Sequence, residues 1–166
     1  MKFIISTIIF LSLVLNNFAF GEIPQSSEII AYYPFSGNAN DSSGNEYDGT
    51  ISGDPQLTTD RFGNSNSAYI FDGDGDWIYF GTDTLPENNE GDVSDPFTIS
   101  VWAKSSSSST MSLFAYGGMV SCGGGRYGAV VRLGTNIQFN SCNNGFNTSA
   151  SGNNSDGNWH QYVFTW

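Results

Sequence analysis

Basic side chains are scarce in this chain of 166 residues: five lysines and arginines face sixteen aspartates and glutamates, with one histidine, for a formal net charge of −11. A surface so acidic repels phosphate backbones, which makes nucleic acid and anionic membranes poor partners and divalent cations easy ones. The single histidine, His160, means that any Ser/His/Asp triad or histidine-ligated metal would depend on that one residue. Strong helix formers are few, and no window places apolar residues at i, i+3, i+4 and i+7, so helix is expected to be scarce. No repeat at solenoid or propeller spacing is visible. Cysteine is limited to Cys122 and Cys142.

Long apolar runs are also missing, with one exception at the start. Lys2 is followed by an apolar run from Phe3 to Leu15, and then by Ala19-Phe20-Gly21, which fits a small-x-small cleavage site. That order is the signature of a secretory signal peptide, and the run is shorter than the ~20 apolar residues a membrane span needs. A buried N-terminal strand or helix is the other role open to it. Residues 1–21 are therefore expected to be a signal peptide and 22–166 the exported domain, secreted or at the cell surface, with no membrane insertion. The exported part keeps Arg61, Lys104, Arg126 and Arg132 against all sixteen acids, a balance of 4 − 16 = −12. In an oxidising compartment an even cysteine count usually means a bridge, so Cys122 and Cys142 are expected to form a disulfide.

What is abundant is Ser, Asn, Gly and Asp between short β-branched and aromatic runs. These runs are Ile29–Phe35, Ala68–Phe71, Trp77–Phe80, Phe97–Lys104, Ser112–Tyr116, Gly128–Leu133, Asn136–Asn140 and Trp159–Trp166. Many short strands with regular turn clusters indicate an all-β, antiparallel two-sheet sandwich or jelly roll. "FTISVWAK" alternates Phe97, Ile99 and Val101 with Thr98, Ser100 and Trp102, so a strand there has two occupied faces. "GNWHQYVFTW" reads as a strand in progress, so the domain is expected to continue beyond Trp166.

"YYPFSGNANDSSGN" (32–45), "IFDGDGDWIYF" (70–80), "DPFTISVWAKS" (95–105) and "DGNWHQYVFTW" (156–166) together resemble the laminin G-like jelly roll of the concanavalin A-like lectin and glucanase superfamily. The four segments follow that family's order across nearly all of the exported part. The resemblance implies a curved two-sheet sandwich whose C-terminal closing strands are missing here. It also implies a recognition module that binds carbohydrate or extracellular protein, often with calcium. The same superfamily contains glucanases, so a polysaccharide-active enzyme, or its accessory targeting domain, is the alternative.

The stretch "DGDGD" is where those readings divide. As an extended strand it would put Asp72, Asp74 and Asp76 on one face at ~6.6 Å steps, echoing the Glu-x-Asp-x-Glu motif of glucanases. Yet a retaining glycosidase needs its carboxyls ~5–5.5 Å apart, and the outer pair would start ~13 Å apart. Gly73 and Gly75 favour a bend, which makes the stretch a hairpin turn between its flanking strands. A turn is compatible with calcium, because crowded carboxylates repel unless a cation sits among them. An EF-hand is rejected, since Trp77 stands where the loop needs glycine. Asp41 in "NANDSSGNEYDG", with Asn45 and Asp48 nearby, is the second calcium candidate, against plain Asx-turn chemistry.

Tyr32, Tyr33, Tyr47, Tyr79, Tyr116 and Tyr127 are candidate sugar-stacking platforms. His160, beside Trp159, is expected to be structural rather than catalytic. Asn40, Asn147 and Asn153 head N-x-Ser/Thr sequons, which would carry glycans in a eukaryotic source.

Overall fold

The computed structural model describes residues 3–12, 29–81, 97–117, 128–133, 136–142, 147–152 and 154–165. Every regular element among them is a β-strand and every pairing is antiparallel. In chain order the strands are β1 (Phe3–Ser12), β2 (Ile29–Tyr33), β3 (Thr50–Ser52), β4 (Gln56–Thr58), β5 (Ala68–Phe71), β6 (Trp77–Tyr79), β7 (Phe97–Ser105), β8 (Met111–Gly117), β9 (Gly128–Leu133), β10 (Asn136–Cys142), β11 (Asn147–Ser151) and β12 (Trp159–Thr165). The largest sheet runs β12-β7-β1-β5-β4, with β2 also paired to β1. A second sheet runs β11-β10-β9-β8, and β3 pairs with β6 alone.

The alternation in β7 decides its place. Phe97, Ile99, Val101 and Ala103 are all buried, whereas the residues between them are half-buried. Such a strand has one face in the core and needs partners on both edges, which β12 and β1 supply. β1 would break the period-two rule without its bulge: Ile5 and Ile8 are an odd number of residues apart, yet both are buried. The register slips between Ile5 and Thr7, and the extra residue returns Ile8 to the core side. Burying each isoleucine contributes about 2 kcal/mol. In the folded chain the apolar N-terminal run thus takes the strand role that its composition also allowed.

The core is rich in aromatic residues. Tyr33, Phe35, Tyr69 and Phe71 belong to one cluster with Ile5, Ile8 and the inward face of β7, and Met111 and Leu113 of β8 join it. Phe35 meets Tyr69 edge to face at 5.4 Å and Tyr33 packs on Phe80 at 4.3 Å, the tilted geometries that aromatic quadrupoles favour. Phe35 is only 1% exposed although its backbone lies in the left-handed region, φ 58°. Burial of the ring outweighs about 1–2 kcal/mol of backbone strain.

One expectation fails. "DGDGD" does not close a hairpin between its flanking strands: β5 pairs with β1 and β4, while β6 pairs with β3. The segment is a corner that carries the chain from one sheet to another. Gly73 and Gly75 do take the positive φ expected of them, 84° and 79°. Cys142 ends β10, but Cys122 lies outside the described residues, and so does the expected disulfide. Of the sequon residues, Asn40 is on an exposed loop, Asn147 begins β11 and Asn153 lies outside the described residues.

Phe35→Ala removes a fully buried ring and keeps an unfavourable φ. It should lower unfolding free energy by about 3–5 kcal/mol in denaturant titration. A cost below 1 kcal/mol would show that the ring is not part of the core.

Candidate functional site

Two loops meet at the corner after β5. One joins β3 to β4 through Gly53, Asp54 and Pro55; the other is Asp72–Asp76. The Asp76 carboxylate clamps them together, its Oδ1 accepting the Asp54 N–H at 2.9 Å and its Oδ2 the Asp72 N–H at 3.2 Å. Asp72 in turn accepts the Asp74 N–H at 2.8 Å, an Asx turn that tightens the corner. Gly53 is required twice over. Its φ is +77°, and a Cβ there would sit 2.3 Å from Asp76 Oδ1.

The clamp brings one carboxylate oxygen from each of Asp54, Asp72 and Asp76 within 4.8 Å of one another, with the first two exposed and Asp76 half-buried. Like charges at ~4 Å repel by about 1 kcal/mol per pair even in water, and a cation relieves this. The exposed carboxylates of Asp54 and Asp72, with the remaining lone pairs of the Asp76 oxygens beside them, suit a hard cation of flexible coordination such as Ca²⁺. Two of the expected ligands, Asp72 and Asp76, are therefore brought together, and Asp54 joins them in place of Asp74. Sequence reasoning missed Asp54 because the chain between the two loops gives no hint that β3 pairs with β6. The extended-strand separation of ~13 Å does not apply either, since Asp72 and Asp76 share a turn.

Asp41 stands in a different loop and has another occupation. It accepts hydrogen bonds from the Tyr32 N–H at 2.8 Å, the Ser43 N–H at 2.8 Å, the Ser43 hydroxyl at 2.7 Å and the Tyr47 N–H at 3.2 Å. Burial alone would raise its pKa, but these four donors outweigh it and hold the carboxyl below its ordinary value. Asp48 accepts the Asp41 N–H, and the Asn45 amide donates to the carbonyls of Ile29 and Ile30. Asp41 and Asn45 thus fasten the loop to β2, and Asp48 braces the loop internally, as Asx chemistry does.

Beside the acidic corner lies a cleft of about 330 Å³. It is lined by Asp76–Phe80 and Ser112–Ala115, with Ile5, Ile8, Phe35 and Phe71 beneath. Trp77 and Tyr79 are 56% and 49% exposed, unusual for rings of that size. Of the candidate platforms, Tyr79 is thus exposed at the cleft and Tyr32 and Tyr47 are half-buried. Tyr33 is not a platform: it is fully buried and donates its hydroxyl to the Tyr47 carbonyl. Burial raises its pKa, aided by Asp41 and Asp48. The side chains of Tyr116 and Tyr127 lie outside the described residues.

His160 ties the turn before β12 to the strand, its Nε2 lying 2.9 Å from Asp156 Oδ1. That contact, together with donation from the Asn158 N–H, lowers Asp156 to about 2. Compared with known proteins, the chain matches no family model, no curated protein and no solved structure.

Asp41→Ala should cost about 2 kcal/mol, because several amides lose a charged acceptor. The sign of the pH effect follows from the depressed pKa. Asp41 contributes stability above its unfolded value, near 3.8, which is lost as pH falls through the lower folded value. Melting temperatures from pH 7 to pH 2 should therefore converge for wild type and variant at the acid end. A gap that persists at pH 2 would refute the role of the ionised carboxylate.

Proposed function

We propose that the chain is an exported, non-enzymatic recognition module. In this reading it is a jelly-roll sandwich of the laminin G-like kind that holds carbohydrate in the cleft between β6 and β8, with calcium at Asp54, Asp72 and Asp76. The observation that carries the reading is continuity: Asp76 belongs both to the carboxylate cluster and to the cleft lining, next to exposed Trp77. Sugars present flat C–H faces to aromatic rings and hydroxyls to cations, so a ring beside a cation site suits them chemically. The cleft volume is within the range of small-ligand sites. An extracellular protein loop is the other ligand such a rim accommodates. A glucanase-like enzyme would need a carboxylic acid kept protonated by apolar surroundings, and exposed Asp54 and Asp72 are poorly placed for that.

Adding Ca²⁺ to EDTA-treated protein should raise its melting temperature. The gain expected at a hundred times Kd is about 2.7 kcal/mol. Asp72→Ala, Asp54→Ala and Gly53→Ala should each remove the rise. A titration with no shift would leave the cluster a loop clamp and sink the calcium part of the reading. On a glycan array, Trp77→Ala should weaken retention about tenfold without lowering the melting temperature, the size of one stacking contact. Equal retention by wild type and variant would move the ligand site elsewhere.

A further inference from the structure

Asp74 is the member of the "DGDGD" stretch that the carboxylate cluster does not use, and the residue after it gives it a chemistry of its own. A peptide nitrogen that follows aspartate can attack the side-chain carboxyl when it belongs to glycine, because no Cβ stands in its way. Four Asp-Gly pairs occur in the chain: Asp48-Gly49, Asp72-Gly73, Asp74-Gly75 and Asp156-Gly157. By sequence they are equivalent. All four lie among the described residues.

The fold separates them by what each carboxylate and each glycine N–H already holds. Asp48 Oδ1 accepts the Asp41 N–H at 2.9 Å, and Gly49 donates its own N–H to the Ala39 carbonyl at 2.9 Å. Gly49 is also packed against Ile78, whose side chain a Cβ there would meet at 2.8 Å. Asp156 Oδ1 accepts the Asn158 N–H and touches His160 Nε2, both at 2.9 Å, while Gly157 donates to the Ser105 carbonyl. Asp72 Oδ1 is held by the Asp74 N–H at 2.8 Å. Among the described residues the Asp74 carboxylate and the Gly75 N–H have no hydrogen-bond partner, and both residues are exposed. A Cβ on Gly75 would meet nothing within 4 Å. Breaking one charge-assisted hydrogen bond slows a step about tenfold or more, so three of the pairs are held back and one is not.

We propose that Asp74-Gly75 is a site of spontaneous backbone isomerisation, and that the product unfastens the corner. The Gly75 nitrogen attacks Asp74 Cγ and loses its proton, and water leaves, closing a succinimide ring. Water then adds to either ring carbonyl. Attack at Cγ restores aspartate; attack at the main-chain carbonyl gives isoaspartate, in which the chain runs through Cβ and Cγ and the α-carboxylate becomes the side group. One water leaves and one returns, so no co-reactant is consumed. The main chain grows by one atom just before Asp76, where the two loops are tightly packed: a Cβ on Gly53 would lie 2.8 Å from the Gly75 carbonyl oxygen and 3.0 Å from Asp76 Cα. The added atom displaces the Asp76 carboxylate from the Asp54 and Asp72 amides and releases the clamp. The inference concerns the metal-free chain and is independent of the calcium and glycan readings.

The test incubates the folded full chain in EDTA at physiological temperature and pH and follows isoaspartate by peptide mapping, with an isoaspartyl methyltransferase supplying the label. Isoaspartate at Asp74 is expected to exceed that at Asp48, Asp72 and Asp156 by about tenfold. In denaturant, where the hydrogen bonds are gone, the four pairs should react at similar rates. Asn144-Gly145, outside the described residues, is told apart because its deamidation changes the mass of its peptide. Asp74→Ser should abolish the signal at that position, and Asp74→Asn should give it faster, through the same ring. In the isomerised fraction the Asp54 and Asp72 amides should exchange with solvent about tenfold faster than in fresh protein or in aged Asp74→Ser protein. The inference is overturned if no isoaspartate accumulates at Asp74 or if another Asp-Gly pair reacts first. It is equally overturned if the preference for Asp74 survives in denaturant, or if the Asp54 and Asp72 amides keep their protection.

Discussion

The buried face of β7 is the constraint on which the largest sheet depends. Phe97, Ile99, Val101 and Ala103 point into the core along its length, and both edges of the strand are paired. Because side chains alternate with period two, sliding either neighbour by one residue would turn its apolar set outward. The positions of β1 and β12 follow from that one pattern. So does the bulge in β1, which corrects a sequence whose buried residues do not alternate by themselves. The aromatic cluster around Phe35 then fills the space that this face leaves.

The corner after β5 follows a different economy, built from carboxylates and glycines rather than apolar area. Asp76 accepts two amides from separate loops, and Gly53 is the only residue type that leaves room for it. The clamp is continuous with β6, so the carboxylate that holds the loops also fixes where Trp77 and Tyr79 emerge. The acidic cluster and the aromatic wall of the cleft are thereby one residue apart in the chain. The Asp41 loop uses the same side-chain chemistry to a purely local end, and its four donors mark it as an anchor.

Much of the strand content was legible. All eight β-branched and aromatic runs are strands, because period-two alternation and bounding turn residues are local signals. The short β3 and β4 were missed, since Thr50–Ser52 and Gln56–Thr58 carry too few apolar residues to stand out, and so was Asn147–Ser151. Pairing was the least readable property. Nothing near Asp72 announces that β5 and β6 belong to different sheets, which is why a corner was read as a hairpin and Asp54 was overlooked. Tyr33 shows the same limit on the scale of one side chain: its composition fits a sugar platform, and only tertiary contacts make it core.

The β1–β7 ladder also sets an order in time. Its two halves are separated by roughly a hundred residues, and sheets with such distant pairings fold in milliseconds to seconds once the chain is whole. At 5–20 residues per second, synthesis keeps Phe3–Ser12 waiting for on the order of ten seconds before β7 exists. During that interval the segment has only β2 and β5 to pair with, and the edge that β7 will cover stays open to whichever binder meets it first. Any binder of that open edge thus competes with the protein's own sheet in time, before any folded-state preference can act.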